Sequence, residues 1–136
     1  MEEATRWIEI AASKFEALKG PTHWQTLSTR NRLGDVLYES GQMSQAEACY
    51  RGVVDEREKV LGAEHPSTLA SKRNLAKTML ARGGAREAEP LCRQAEAGHR
   101  KILGDAHNQT ILSQRLLEQV ADAIAAENAA RDGSTA

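Results

Sequence analysis

Apolar side chains recur three or four residues apart along most of the chain, the spacing of one face of an α-helix. In the segment 66–82 these positions are Leu69, Leu75, Ala76, Met79 and Leu80. The β-branched residues are scattered and do not alternate with polar ones, whereas Ala, Leu, Glu, Arg and Gln dominate. This composition favours helix over strand. The pattern therefore predicts an all-α fold.

Short glycine-containing or proline-containing segments interrupt the helical spacing at five places. Glycine readily adopts the left-handed conformation that ends a helix, and proline is favoured in the first turn of the next one. The breaks lie at 19–23, 39–44, 61–66, 81–86 and 103–108. They predict six helices, at 3–19, 24–40, 44–61, 66–82, 86–103 and 108–130. Residues 131–136 are expected to form a disordered tail.

One stretch of the sequence occurs three times. The segment "KVLGAEHPSTLASKRNLA" (59–76) returns as "KILGDAHNQTILSQRLLE" (101–118), and a fainter copy, "ALKGPTHWQTLSTRNRLG", occupies 17–34. His23, His65 and His107 hold matching places, at steps of 42 residues (65 − 23 and 107 − 65). Successive rungs of a helical stack lie about 10 Å apart for each intervening helix, far beyond metal coordination at about 2 Å. We therefore expect the histidines to be structural and predict no metal site.

The 42-residue period also divides the predicted helices into repeats. Ala4 aligns with Ala46 and Ala88, so the first helix corresponds to the second half of a repeat. This predicts a single array over 1–130, with a half repeat at 3–19, repeats at 24–61 and 66–103, and a half repeat or capping helix at 108–130. A helix that lacks a neighbour leaves apolar surface uncovered. The candidates for this exposed surface, and for self-association, are Trp7, Ile8, Ala11 and Phe15.

Charge and composition narrow the classes of function. With 18 basic and 19 acidic residues and only 4% aromatic residues, the chain offers no field or stacking platform for nucleic acid. No apolar run is long enough for a signal peptide or a bilayer span, so we expect a cytoplasmic protein without a membrane partner. Cys49 and Cys92 form no spacing motif and are expected to be reduced and structural. No phosphate loop or catalytic arrangement is recognisable, so we expect neither an enzyme nor a cofactor.

Three further features carry a family resemblance. A small residue stands where the paired helices would cross ("RLG" at 32–34, "NLA" at 74–76), a glycine marks the turn (Gly41, Gly83), and "AE" opens the second helix at 46–47 and 88–89. This pattern resembles the tetratricopeptide repeat (TPR), whose usual period is 34 residues. The longer period here, with its "LG..H" segment, resembles the kinesin-light-chain-like subclass. The resemblance implies a right-handed superhelical stack of antiparallel helix pairs.

The resemblance also implies a function, as a protein–protein interaction module that binds a peptide or partner helix in its concave groove. Arg73, Lys77 and Arg115 would place cations at adjacent levels and favour an acidic partner, although ordinary solvated charges would look the same in sequence. The alternative is a self-associating structural or spacer segment of a larger repeat protein, such as the sensor array of a NACHT or NB-ARC type ATPase. Carrying over the family's groove positions gives Asn31, Asp35, Tyr38, Arg73, Asn74, Lys77, Arg115 and Gln119.

Overall fold

The computed structural model describes residues 2–134, which form six α-helices joined by short turns and contain no strand. Each helix packs against the next along the chain, and α4 also packs against α6. The predicted all-α stack of helix pairs is confirmed, and every helix bound but the last lies within one residue of its predicted position. The helices are α1 (Glu2–Lys19), α2 (Trp24–Glu39), α3 (Met43–Leu61), α4 (Pro66–Ala81), α5 (Ala85–Leu103) and α6 (Asn108–Ser134).

The last helix is longer than the sequence analysis predicted. α6 continues to Ser134, so residues 131–134 are helical and do not belong to a disordered tail. Residues 135 and 136 lie outside the described part of the chain. The segment before them is rich in Ala, which has the highest helix propensity, and no proline interrupts it. Arg86 of α5 also holds this end, because its guanidinium lies 3.4 Å from the Glu127 carboxylate.

The three in-register histidines cap the helices that follow them. The Nδ1 atoms of His23, His65 and His107 accept hydrogen bonds from the backbone amides two residues further on, at 3.2, 3.1 and 3.1 Å. The backbone of His23 and of His65 is extended, as expected just before a helix. Each bond satisfies one of the amides that a helix start leaves without an intrahelical partner. The repeated histidine therefore fixes where α2, α4 and α6 begin.

The helix pairs cross where the sequence has its small residues. A Cβ atom added to Gly34 would lie 2.7 Å from Cε1 of Tyr50, so α2 approaches the Tyr50 ring at a distance that only glycine allows. The next repeat has Ala76 and Cys92 at the equivalent positions, and both are fully buried, with 0% and 1% exposure. In this repeat a smaller thiol lies opposite alanine, which leaves room for the alanine methyl group at the crossing.

The third crossing position, Glu118, differs from the other two. Glu118 occupies the place that Gly34 and Ala76 hold in the preceding repeats, and it is exposed. No described helix lies beyond α6 in the stack. The carboxylate at this position therefore remains hydrated at the end of the array.

Candidate functional site

The eight candidate groove residues lie on α2, α4 and α6, the first helices of successive pairs. These helices form one layer of the stack, in which α4 contacts α6 directly. We call this set of residues the inner face. From α2 it has Asn31, Asp35 and Tyr38, from α4 it has Arg73, Asn74 and Lys77, and from α6 it has Arg115 and Gln119.

Tyr38 and Lys77 meet across the gap between α2 and α4. The Lys77 ammonium lies 4.5 Å from the centroid of the Tyr38 ring, within the range of a cation–π interaction. Tyr38 is half-buried and Lys77 is exposed, so both side chains remain accessible from the inner face. The contact fixes the lysine ammonium over the ring without neutralising its charge.

Arg73 joins α4 to the start of α6. Its guanidinium donates a hydrogen bond to the Gln109 side-chain oxygen, and desolvation lowers the pKa of Arg73, although a guanidinium stays charged in proteins. Arg115 is the equivalent of Arg73 one repeat further on and is exposed. Within residues 2–134, no acidic side chain forms an ion pair with Arg115. The inner face therefore carries one partly desolvated and one freely hydrated arginine.

The polar side chains of α2 differ in whether they have hydrogen-bond partners. The Asp35 carboxylate accepts a hydrogen bond from the Tyr50 hydroxyl, and burial together with this bond raises the pKa of Tyr50. Oδ1 of Asn31 is buried and accepts no hydrogen bond from any described residue. Leaving a buried acceptor unpaired costs about 1–3 kcal/mol. Among the eight inner-face residues, Asn31 therefore has a buried acceptor without a hydrogen-bond donor.

Asn74 and Gln119 lie on the same layer but contribute less to the geometry. Asn74 is half-buried beside Arg73, and Gln119 is exposed one turn after Arg115. The structure therefore brings Tyr38 to Lys77, and places Arg73 near the start of α6. It forms no ladder of asparagines across the three levels.

Sequence reasoning did not identify a buried histidine behind the inner face. His99 is 0% exposed, and its Nδ1 lies 2.8 Å from the Ser113 hydroxyl. Burial, and then the charge of Arg73, lower its pKa. One repeat earlier Arg57 donates to the Ser71 hydroxyl at 2.6 Å, at the equivalent positions. The 42-residue period shows that the two pairs are equivalent, but neither contact can be read from the sequence alone.

The self-association candidates lie on α1. Trp7 is 70% exposed, while Ile8, Ala11 and Phe15 are half-buried.

Among residues 2–134 there is no group of three or more His, Cys, Asp or Glu side chains that could hold a metal ion. None of the helices in this part of the chain is long and apolar enough to cross a membrane.

The repeated caps, crossings and helix pairs define the class of the protein as a helical-repeat solenoid. The sequence profile of the tetratricopeptide repeat family matches residues 25–101. The chain therefore belongs to the tetratricopeptide repeat family, as its sequence predicted. Proteins of this family are generally scaffolds for protein interaction and are typically non-catalytic. No curated protein matches the chain significantly by sequence.

Solved structures support the kinesin-light-chain-like type. A kinesin light chain-like protein of nearly identical TPR-like repeats from Podosopora anserina is similar at a TM-score of 0.76 and 28% identity, and a variant form of that protein at 0.77 and 28%. Each match covers 96% of this chain and 62% of the other, so the chain spans about three fifths of these structures. BtubC (BKLC) from P. vanneervenii, at 14% identity and a TM-score of 0.69, covers 93% of this chain and 57% of its own, and shares the fold.

Proposed function

We propose that the inner face binds a segment of a partner protein that carries acidic side chains, either extended or helical. The observation that carries this proposal is the pair of accessible cations on neighbouring helices. Lys77 of α4 is exposed beside the Tyr38 ring, and Arg115 of α6 is exposed. A carboxylate of a bound segment would accept charge-assisted hydrogen bonds from such groups.

The charges of the inner face favour an acidic ligand. Arg73 and Lys77 lie four residues apart on α4 and so share a face, and Arg115 repeats the Arg73 position on α6. The Arg73 guanidinium has five N–H donors and gives one bond to Gln109, which leaves donors for a carboxylate. Charge-assisted bonds of this kind are roughly twice as strong as neutral ones.

Acidic side chains limit the extent of the basic region. Glu39 and Asp122 are exposed near the two ends of the inner face. Asp35 is already engaged by the Tyr50 hydroxyl. We therefore expect the acidic part of a ligand to lie over α4 and the first half of α6, between these carboxylates.

The test is a titration of fluorescently labelled acidic and basic peptides, read by anisotropy, against the wild type and two charge-reversal variants. Arg115→Glu changes the inner face, and Arg93→Glu makes the same change on an exposed arginine of α5. We expect Arg115→Glu to weaken acidic-peptide binding by at least about tenfold, equal to about 1.4 kcal/mol. Arg93→Glu should leave it unchanged. Equal loss in both variants, or no binding of acidic peptides, would reject the proposal.

A second candidate function is self-association as a structural or spacer segment. The observation that favours it is the exposure of Trp7, 70% on a helix whose apolar face has no neighbour on one side. Light scattering over a range of concentrations tests it. A strict monomer at high concentration would reject this candidate.

A further inference from the structure

The outer face of α1 is exposed, whereas the equivalent faces of α3 and α5 are buried. Ala46 and Ala88 are 0% exposed, Tyr50 and Cys92 are 3% and 1%, and Val53 and Ala95 are 0%. Shifted back by one repeat, these positions are Ala4, Ile8 and Ala11, which are exposed or half-buried. In α3 and α5 the first helix of the same pair provides the cover, and α1 has no such partner among the described residues.

The apolar positions on this face have the spacing of a coiled-coil seam. Steps of four, three, four and three residues connect them, so they keep to one side of the helix over its whole length. Small residues occupy the first and third positions, and larger ones occupy the other three. We call this set the α1 seam, and it consists of Ala4, Ile8, Ala11, Phe15 and Leu18.

The other end of the array is built differently, and this excludes simple head-to-tail stacking of copies. If α1 of a second copy continued the stack after α6, Ile8 would take the position of Tyr50 and Cys92, opposite Glu118. The carboxylate would then be buried against an isoleucine without a partner, which is costly. Ala121, which replaces the buried Leu37 and Met79 of the earlier repeats, offers little apolar surface there.

We propose that the α1 seam pairs with the α1 seam of a second copy, antiparallel and about a two-fold axis that passes beside Ala11; this pairing rests on self-association, the second candidate function above. Under this symmetry Ala4 faces Leu18 of the second copy, and Ile8 faces Phe15. Ala11 meets its own counterpart, where a small side chain lets the helices approach. A two-fold interface is self-complementary, and here the larger Ile8 and Phe15 contacts flank the close approach at Ala11 on both sides.

Charge complements the packing in this arrangement. The first turn of α1 is acidic, with Glu2 and Glu3, and its last turn carries Lys19. An antiparallel pair places each acidic turn beside the basic turn of the other copy. It also brings the exposed Trp7 ring beside Lys14 of the second copy, whose aliphatic stem can cover the indole.

The expected dimer is weak but has a functional consequence. One helix from each copy forms an interface at the small end of the range, below about 1,200 Å² in total. The seam lies on α1, outside the layer of α2, α4 and α6. Each dimer would therefore present two inner faces, and a ligand with two acidic segments would gain affinity from their linkage.

Cysteine crosslinking tests the geometry directly, in a Cys49→Ser background that retains the buried Cys92. Ala11→Cys lies beside the two-fold axis and should form a disulfide-linked dimer under mild oxidation. Ala4→Cys and Leu18→Cys should crosslink to each other when the two proteins are mixed, more than either does alone. Ala121→Cys at the other end should stay monomeric. Crosslinking of Ala121→Cys, or none at Ala11→Cys, would overturn the proposal.

Sedimentation of charge variants supplies the second measurement. Ala11→Glu should weaken dimerisation by at least about tenfold, and the matched Ala121→Glu on α6 should not change it. Circular dichroism of both variants checks that they fold. A wild type that remains monomeric up to near-millimolar concentration, or equal weakening in the two variants, would reject the pairing. Neither result would bear on peptide binding by the inner face, which is measured separately.

Discussion

Replacing Gly34 with alanine should destabilise the protein, although the same change stabilises most helix interiors. Gly→Ala within a helix normally gains about 1 kcal/mol, because alanine loses less backbone entropy. At Gly34 the new Cβ would lie 2.7 Å from Cε1 and 3.0 Å from Cζ of Tyr50, a ring that is 3% exposed. Overpacking of this kind costs about 1–3 kcal/mol, and displacing the ring weakens its bond to Asp35, about 1 kcal/mol more. We expect a net loss of about 1–3 kcal/mol.

The assay is urea unfolding of Gly34→Ala beside the matched control Gly52→Ala. Gly52 lies inside α3, and a Cβ there would meet no atom within 4 Å. Gly52→Ala should therefore raise the free energy of unfolding by about 1 kcal/mol. Tyr50→Cys reproduces the Ala76 and Cys92 pair of the next repeat, so Gly34→Ala should cost much less in that background. Stabilisation by Gly34→Ala in the wild-type background would refute the reasoning.

Two further predictions concern the histidines. His65→Ala should lower the free energy of unfolding by about 1 kcal/mol, since it removes the bond to the Ser67 amide, while His65→Asn should retain most of it; equal losses in urea unfolding would contradict the cap. Burial, together with the charges of Arg73 and His107, lowers the pKa of His99 in the folded chain. As the pH falls, the unfolded chain therefore binds a proton at this histidine before the folded chain does. The free energy of unfolding should decline as the pH falls below about 6.5. Urea midpoints above and below that pH should differ less in His99→Gln, and an unchanged difference would contradict the assignment.

The repeat made most of the fold predictable from sequence. A 42-residue period with a glycine or proline at each break fixed the helix bounds, because turn chemistry is local and repeats in every copy. The place of His65 just before α4 agrees with Pro66, which disfavours the helical conformation at the preceding residue, but the hydrogen bond by which its side chain caps α4 was not predicted. The predicted end of α6 was wrong. There Gly133 and the polar residues around it indicated a tail, yet the helix formers before them carry the helix on.

The side-chain contacts of the inner face were harder to predict from the sequence, because they depend on the directions of side chains on neighbouring helices. The groove positions came from the family resemblance. The Lys77 contact with Tyr38 and the unpaired Oδ1 of Asn31 did not, since both depend on how closely α2 and α4 approach. The burial of His99 depends on Ser113, which lies on the next helix.

Mapping of backbone amide resonances by NMR during titration with an acidic peptide tests the central claim most directly. We predict that the largest shifts occur on α2, α4 and the first half of α6, with the Arg115 side-chain signal among them. Shifts confined to α1, α3 and α5, or spread evenly over the helices, would contradict the assignment of the inner face as the binding surface.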